Sequence, residues 1–153
     1  MLDEKPKPRV NIRFLFTFCT DVDVIRHFYT ELLGMTECSY CNEEQWGWVC
    51  YRSEGFELMF LRAPDVKVSS GFAAQPGWEG GETLVTSWSV EVPEEDFADI
   101  WHRLVEDGAE LFKAMPEWRQ DSYWGISVLD PMGNTLEVYT IPKERPAKLE
   151  WEE

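Results

Sequence analysis

Residues 124–138 read WGISVLDPMGNTLEV, and residues 46–58 read WGWVCYRSEGFEL. Each is an apolar run opened by Trp-Gly, interrupted by a turn-type cluster and resumed around a glutamate, which is the pattern of a β-hairpin. Trp46 to Glu57 spans 11 residues and Trp124 to Glu137 spans 13. The difference of two falls in the turns, Arg52-Ser53-Glu54-Gly55 against Asp130-Pro131-Met132-Gly133-Asn134, where Pro and Gly-Asn are turn residues.

The segments upstream repeat as well. Strand Asn11 to Cys19 leads through Asp21 into a helix from Val22 to Leu33, with Ile25, Phe28, Tyr29, Leu32 and Leu33 on one stripe and Gly34 at its close. Strand Leu84 to Val92 leads through Pro93 and Glu94 into a helix with Phe97, Ile100, Trp101, Leu104 and Val105 inward, closed by Gly108. Asp21 to Gly34 is 13 residues and Glu94 to Gly108 is 14. Each half therefore reads βαβββ: a module at 10–62, a linker at 63–82 holding Gly71, Pro76, Gly77, Gly80 and Gly81, a module at 83–142, and a charged tail at 143–153. The tail is expected to fray or to pack on a partner. The fold class is α+β, two tandem βαβββ modules within one domain.

Composition narrows the function classes. The 153 residues carry 14 Lys plus Arg against 29 Asp plus Glu, a formal charge of −15. That excess repels phosphate backbones and anionic lipid, so neither nucleic acid nor a membrane surface is an expected partner, while a cationic ligand is not disfavoured. Hydrophobic content of 44%, with eight Trp, excludes a disordered acidic chain. No apolar run nears the roughly 18 residues of a membrane span, and Met1 to Pro8 has no apolar signal core, so a cytoplasmic location is expected. Cys19, Cys38, Cys41 and Cys50 are too few and too irregular for a disulfide framework; Cys38-x-x-Cys41 alone would suit a zinc or redox pair, but no second pair follows.

Strand parity places the candidate residues. If Leu15, Thr17 and Cys19 face the helix, Phe14, Phe16 and Phe18 face away. On the fourth strand Phe56, Leu58 and Phe60 take the helix side and Glu57, Met59 and Leu61 the other; the second half offers Ser87, Ser89 and Glu91, then Glu137 and Tyr139. Trp88 falls on the helix side, in the core. The away-facing sets are expected to converge on one concave surface, with Trp46, Trp48 and Trp124 among the aromatics near it. Trp78, Trp118 and Trp151 swell an aromatic count beyond the needs of a core this size. Lys113 to Tyr123 and the linker are expected to rim the surface as a lid.

Phe28-Tyr29-x-x-Leu32-Leu33-Gly34 after Asp21, Gly108-Ala109-Glu110-Leu111 after the second helix, and Trp124-Gly125 followed by Asp130-Pro131-x-Gly133-Asn134-x-x-Glu137 resemble the vicinal oxygen chelate superfamily. That group includes glyoxalase I, extradiol dioxygenases, fosfomycin-resistance enzymes and bleomycin-resistance proteins. The resemblance covers roughly residues 10–142 and implies paired modules forming a cup-shaped mixed sheet with helices outside, in a homodimer. Metal-dependent members take ligands from the first strand, commonly His, and the last strand, commonly Glu, of each module. Carried over, the glutamates are kept as Glu57 and Glu137, whereas the first-strand positions fall on Phe14 and Ser87. Phenylalanine has no donor atom and a neutral serine hydroxyl is a poor ligand for Zn, Ni or Fe. His27 and His102 lie off the apolar stripes of their helices and read as solvated.

The expectation is thus a small-molecule binding protein of the bleomycin-resistance type with no catalytic metal and no cofactor. An aromatic, cationic ligand would be held by Phe14, Phe16, Trp46, Trp48, Glu57, Ser87, Trp124, Glu137 and Tyr139 through stacking and charge pairing. The alternative is a lyase, isomerase or dioxygenase-type enzyme using Glu57 or Glu137 as base, or as ligands of a divalent metal.

Overall fold

The computed structural model describes residues 10, 12–75 and 80–152. Asn11, Met1 to Pro8, and Pro76, Gly77 and Trp78 of the linker lie outside the described residues. Two four-stranded mixed sheets are formed, each carrying a helix on one face, in an α+β architecture of two modules.

The first sheet takes β1 (Phe14–Cys19), β2 (Glu37–Asn42), β3 (Gly47–Ser53) and β4 (Phe56–Arg62) in the order β1-β4-β3-β2, with β1 parallel to β4. The second takes β5 (Ser87–Glu91), β6 (Glu117–Arg119), β7 (Tyr123–Leu129) and β8 (Thr135–Thr140) in the equivalent order β5-β8-β7-β6. Both first strands are shorter than expected. Helix α1 (Val22–Arg26) is capped by the Asp21 carboxylate, which accepts from the Asp23 backbone N–H at 2.8 Å, and it widens into a π-helical turn at His27–Leu32. Helix α2 (Glu94–Glu106) starts at Pro93 with Glu94, Glu95 and Asp96 in its first turn, where the helix dipole favours acids. Both helices end at a glycine of positive φ, Gly34 and Gly108, each at +77°.

The helix-side faces of the two sheets share one core. Phe60 of β4 stands 4.9 Å from the Tyr29 ring and 6.2 Å from Trp88 of β5, centroid to centroid. Tyr29 donates its hydroxyl to the buried Asp130 carboxylate at 2.7 Å, Arg103 of α2 donates to the Leu32 carbonyl at 2.9 Å, and His27 meets Asp107 at 2.6 Å. The apolar stripe of the first helix is buried as expected; in α2, Val105 is exposed rather than inward, because Leu104 alone fills the inward position at the last turn.

Two peripheral segments correct the sequence reading. The described part of the tail packs on its own chain: Trp151 stands edge-on against Phe97, Trp101 and Trp124, which gives an otherwise charged segment apolar area to dock with. Within Lys113 to Tyr123, Glu117–Arg119 is a sheet strand, β6, joined to β7 by a turn in which Gln120 and Asp121 take positive φ. The linker lies along the second sheet, with the Ala73 N–H donating to the Thr135 hydroxyl at 2.7 Å. Among the described residues no helix is long and apolar enough to cross a membrane.

Candidate functional site

Each sheet has a second face, turned away from the shared core, and strand register fixes what it carries. On the first sheet Phe14, Phe16 and Phe18 pair with Glu57, Met59 and Leu61. Trp48, Cys50 and Arg52 of β3 stand opposite Leu61, Met59 and Glu57 in turn. The alternation read from sequence thus holds along β1 and β4. The three phenylalanines remain 45%, 55% and 48% exposed, with ring centroids about 6 Å apart (6.2 and 6.0 Å) along the strand. Trp48 donates its indole N–H to Ser39 at 2.8 Å, which fixes its ring on this face.

Glu57 does not sit as a free acid here. Arg52 reaches its Oε1 through Nε at 2.8 Å and through its terminal nitrogen at 2.7 Å, a fork that offsets the carboxylate charge. The other oxygen, Oε2, faces the Cys50 thiol at 3.9 Å. Burial pushes that thiol up to about 12, with Cys38 and Glu57 adding to the effect.

The second sheet repeats the geometry with different chemistry. Glu137 of β8 accepts from Arg119 at 2.9 Å, from the Tyr123 hydroxyl at 2.9 Å and from the Ser89 hydroxyl at 3.1 Å. Arg119 also binds Ser127 at 3.1 Å and Glu117 at 3.0 Å. Burial, then the bond to Glu137, raises the Tyr123 phenol to about 12, so it stays a donor at neutral pH. Tyr139 stacks edge-on with Tyr123 at 5.3 Å and points its hydroxyl at Glu91.

The candidates named from sequence separate into three groups. Phe14, Phe16, Trp48 and Glu57 come together on the first face, and Glu137 and Tyr139 on the second. Trp46 and Trp124 lie elsewhere, whereas Ser87 shares the parity of Ser89 and lies at the end of the second face, out of reach of Glu137's partners. Trp46 lies in the β2–β3 turn, 66% exposed, outside the strand. Trp124 is on the core side of β7: it pairs with Thr140, an odd number of residues from Glu137, and is buried against Trp118 and Trp151. Ser87 is not the counterpart of Phe14. Phe14 pairs with Glu57, whereas the residue pairing with Glu137 is Ser89; Ser87 stands opposite Thr135 and bonds Gln75. The cause is the strand-to-helix connection, eight residues from Phe14 to Val22 but five from Ser89 to Glu94.

Sequence reasoning passes over Arg52, Arg119, Tyr123 and Cys50. Tyr123 has a signal that would find it, because Tyr123, Gly125 and Ser127 alternate onto the face that Glu137 occupies. Among the described residues no hydrogen bond, ion pair or ring contact joins the two faces.

A metal held jointly by first- and last-strand residues does not fit these donors. Phe14 offers none, and Ser89 is committed to Glu137, which Arg119 and Tyr123 also occupy.

A family model described as a glyoxalase-like domain matches residues 13–139. Among solved structures, a glyoxalase/dioxygenase from Nostoc punctiforme is 15% identical, covering 92% of this chain and 97% of its own, with a TM-score of 0.67. A glyoxalase/bleomycin resistance protein/dioxygenase from Nocardioides is 19% identical, covering 93% and 91%, with a TM-score of 0.59. A mutant of the fosfomycin resistance protein FosX from Listeria monocytogenes, complexed with Mn(II) and a dihydroxypropylphosphonic acid, is 10% identical over 84% and 90%, with a TM-score of 0.60. No curated protein matches the chain. At these identities the structural likeness speaks for the fold alone.

Proposed function

The chain belongs to the glyoxalase-like domain family, and from that premise we propose that it binds an aromatic, positively charged small molecule on the faces described above, with no metal shared between the modules. The observation that carries this is the phenylalanine row of β1, three large rings left about half exposed on a sheet whose other face is closed by the core. Such a row is a stacking surface for a flat ligand. The preference for a cation comes from the overall charge of −15 and from Glu91, rather than from Glu57 or Glu137, whose charges are offset by arginine.

The proposal includes a homodimer in which the phenylalanine face of one chain closes on the Glu137–Tyr123 face of its partner. Its support is that the two modules of one chain spend their helix-side faces on a common core, which leaves the phenylalanine face of the first sheet uncovered, while the linker lies over only the Ser87–Thr135 end of the second. The enzyme alternative has less support, because a carboxylate that already accepts from a guanidinium competes poorly for a substrate proton.

The test is calorimetric titration of a planar acridinium cation into the protein with chelator present. Phe16→Ser is expected to weaken binding about tenfold, the worth of one stacked ring. An unchanged dissociation constant in that variant would show that the phenylalanine row does not hold the ligand.

A further inference from the structure

Cys38, Cys50 and Glu57 come from three adjacent strands, β2, β3 and β4, and their ligand atoms all lie within 4.8 Å of one another. A bulge brings this about. Glu37 pairs with Tyr51 and Ser39 pairs with Cys50, so Cys38 and Ser39 together stand opposite Cys50, and the extra residue turns a thiol onto the Glu57 side of the sheet. In a regular strand Cys38 and Cys41, three residues apart, would face opposite sides of the sheet. Cys41 sits beside Trp48 with its sulfur directed at the Trp46 carbonyl.

We propose that Cys38, Cys50 and Glu57 bind a zinc-class cation on the first module alone, with a fourth position open toward the exposed face. A tetrahedral ion with bonds of about 2.0–2.3 Å holds its ligands roughly 3.3–3.8 Å apart. The Cys50 sulfur and Glu57 Oε2 are already 3.9 Å apart, so small rotations complete the set. Charge also closes. Two thiolates and a carboxylate carry three negative charges, and the divalent ion with Arg52, bound to the opposite oxygen Oε1, supplies three positive ones. Both thiol protons pass to solvent on ligation. Arg52 fixes the carboxylate orientation in the way that partners outside the coordination sphere do for metal ligands. The site uses no residue of the second module, so it does not require the dimer; it shares the first face with the phenylalanine row, Phe14 standing opposite Glu57, and the chelator in the acridinium titration keeps the two tests separate.

The test is titration of Co²⁺ into the reduced full chain after four free thiols have been counted. A thiolate-to-cobalt absorption band saturating at one equivalent and displaced by Zn²⁺ is expected. Cys38→Ser should abolish it, Cys41→Ser should leave it intact, and Glu57→Gln should weaken affinity by at least the roughly 10- to 100-fold that losing even a supporting partner costs a metal site. Because Cys50 is buried and its replacement could unfold the sheet, the variant at the exposed Cys38 decides the matter. A band that survives Cys38→Ser, a wild type with four free thiols and no band, or a chain that yields only two thiols through a Cys38–Cys50 disulfide would each overturn the assignment.

Discussion

The two modules share strand order and hairpin register, yet their exposed faces have little chemistry in common. The first presents phenylalanine rings, sulfur and an Arg52–Glu57 pair at the rim, with the Arg52 side chain 63% exposed. The second presents a closed polar network in which Arg119, 14% exposed, links Glu117, Ser127 and Glu137. The repeat keeps what builds the sheets while the faces differ: one suits adhesion of apolar rings, the other fixed hydrogen-bonding geometry. The turns differ too. Asp130 accepts from Tyr29 across the module boundary and from Met132 and Asn134 within its own turn, whereas the shorter Glu54-Gly55 turn has no buried carboxylate to anchor it.

The largest expected effect lies in those turns. Asp130→Ala strands several buried donors and should cost about 3 kcal/mol in urea unfolding, against less than about 0.5 kcal/mol for Glu54→Ala. Equal costs would mean that the turns are equivalent after all. Next come the arginines. Arg119→Ala leaves Glu137 partly buried without its cation and should lower stability by about 2 kcal/mol, while Arg52→Ala, at an exposed pair, should cost less than about 1 kcal/mol.

What can be read from the sequence follows the same division. The hairpin echo and the alternation of Phe14, Phe16 and Phe18 survive because a period of two needs only local spacing. Ser87 departs from its expected place because register across a parallel pair depends on the length of the strand-to-helix connection, which differs between modules. Trp124 echoes Trp46 in the sequence, although its parity against Glu137 puts it on the core side. Arg119 is hidden in a three-residue strand, and the Cys38–Cys50 approach depends on a bulge that leaves no mark in spacing.

Two pH responses sharpen the contrast further. The Arg26 guanidinium beside Glu37, joining α1 to β2, holds that carboxyl below its usual value. Its contribution is therefore present above the unfolded value of about 4.3 and lost as pH falls through the lower folded value. Wild type should lose about 1 kcal/mol relative to Glu37→Gln on acidification through that window, read by urea midpoints. His27 behaves oppositely. Its bonds to Asp107 and then Glu31 raise it above the usual histidine value, so its contribution is full below about 6.5 and fades as pH rises through the raised value. Being a half-exposed pair, it should be the smallest effect, under about 1 kcal/mol, and His27→Gln should flatten the stability profile in that range.

Complementation tests the central claim most directly. Phe16→Asp spoils the first face and Arg119→Glu the second, so each variant alone should fail to bind the acridinium cation. If a ligand lies between the first face of one chain and the second face of its partner, mixing and re-equilibrating the two variants should restore on the order of a quarter of the wild-type sites, one intact cup in each mixed dimer. A mixture as silent as its components, beside a wild type that binds, would contradict the account.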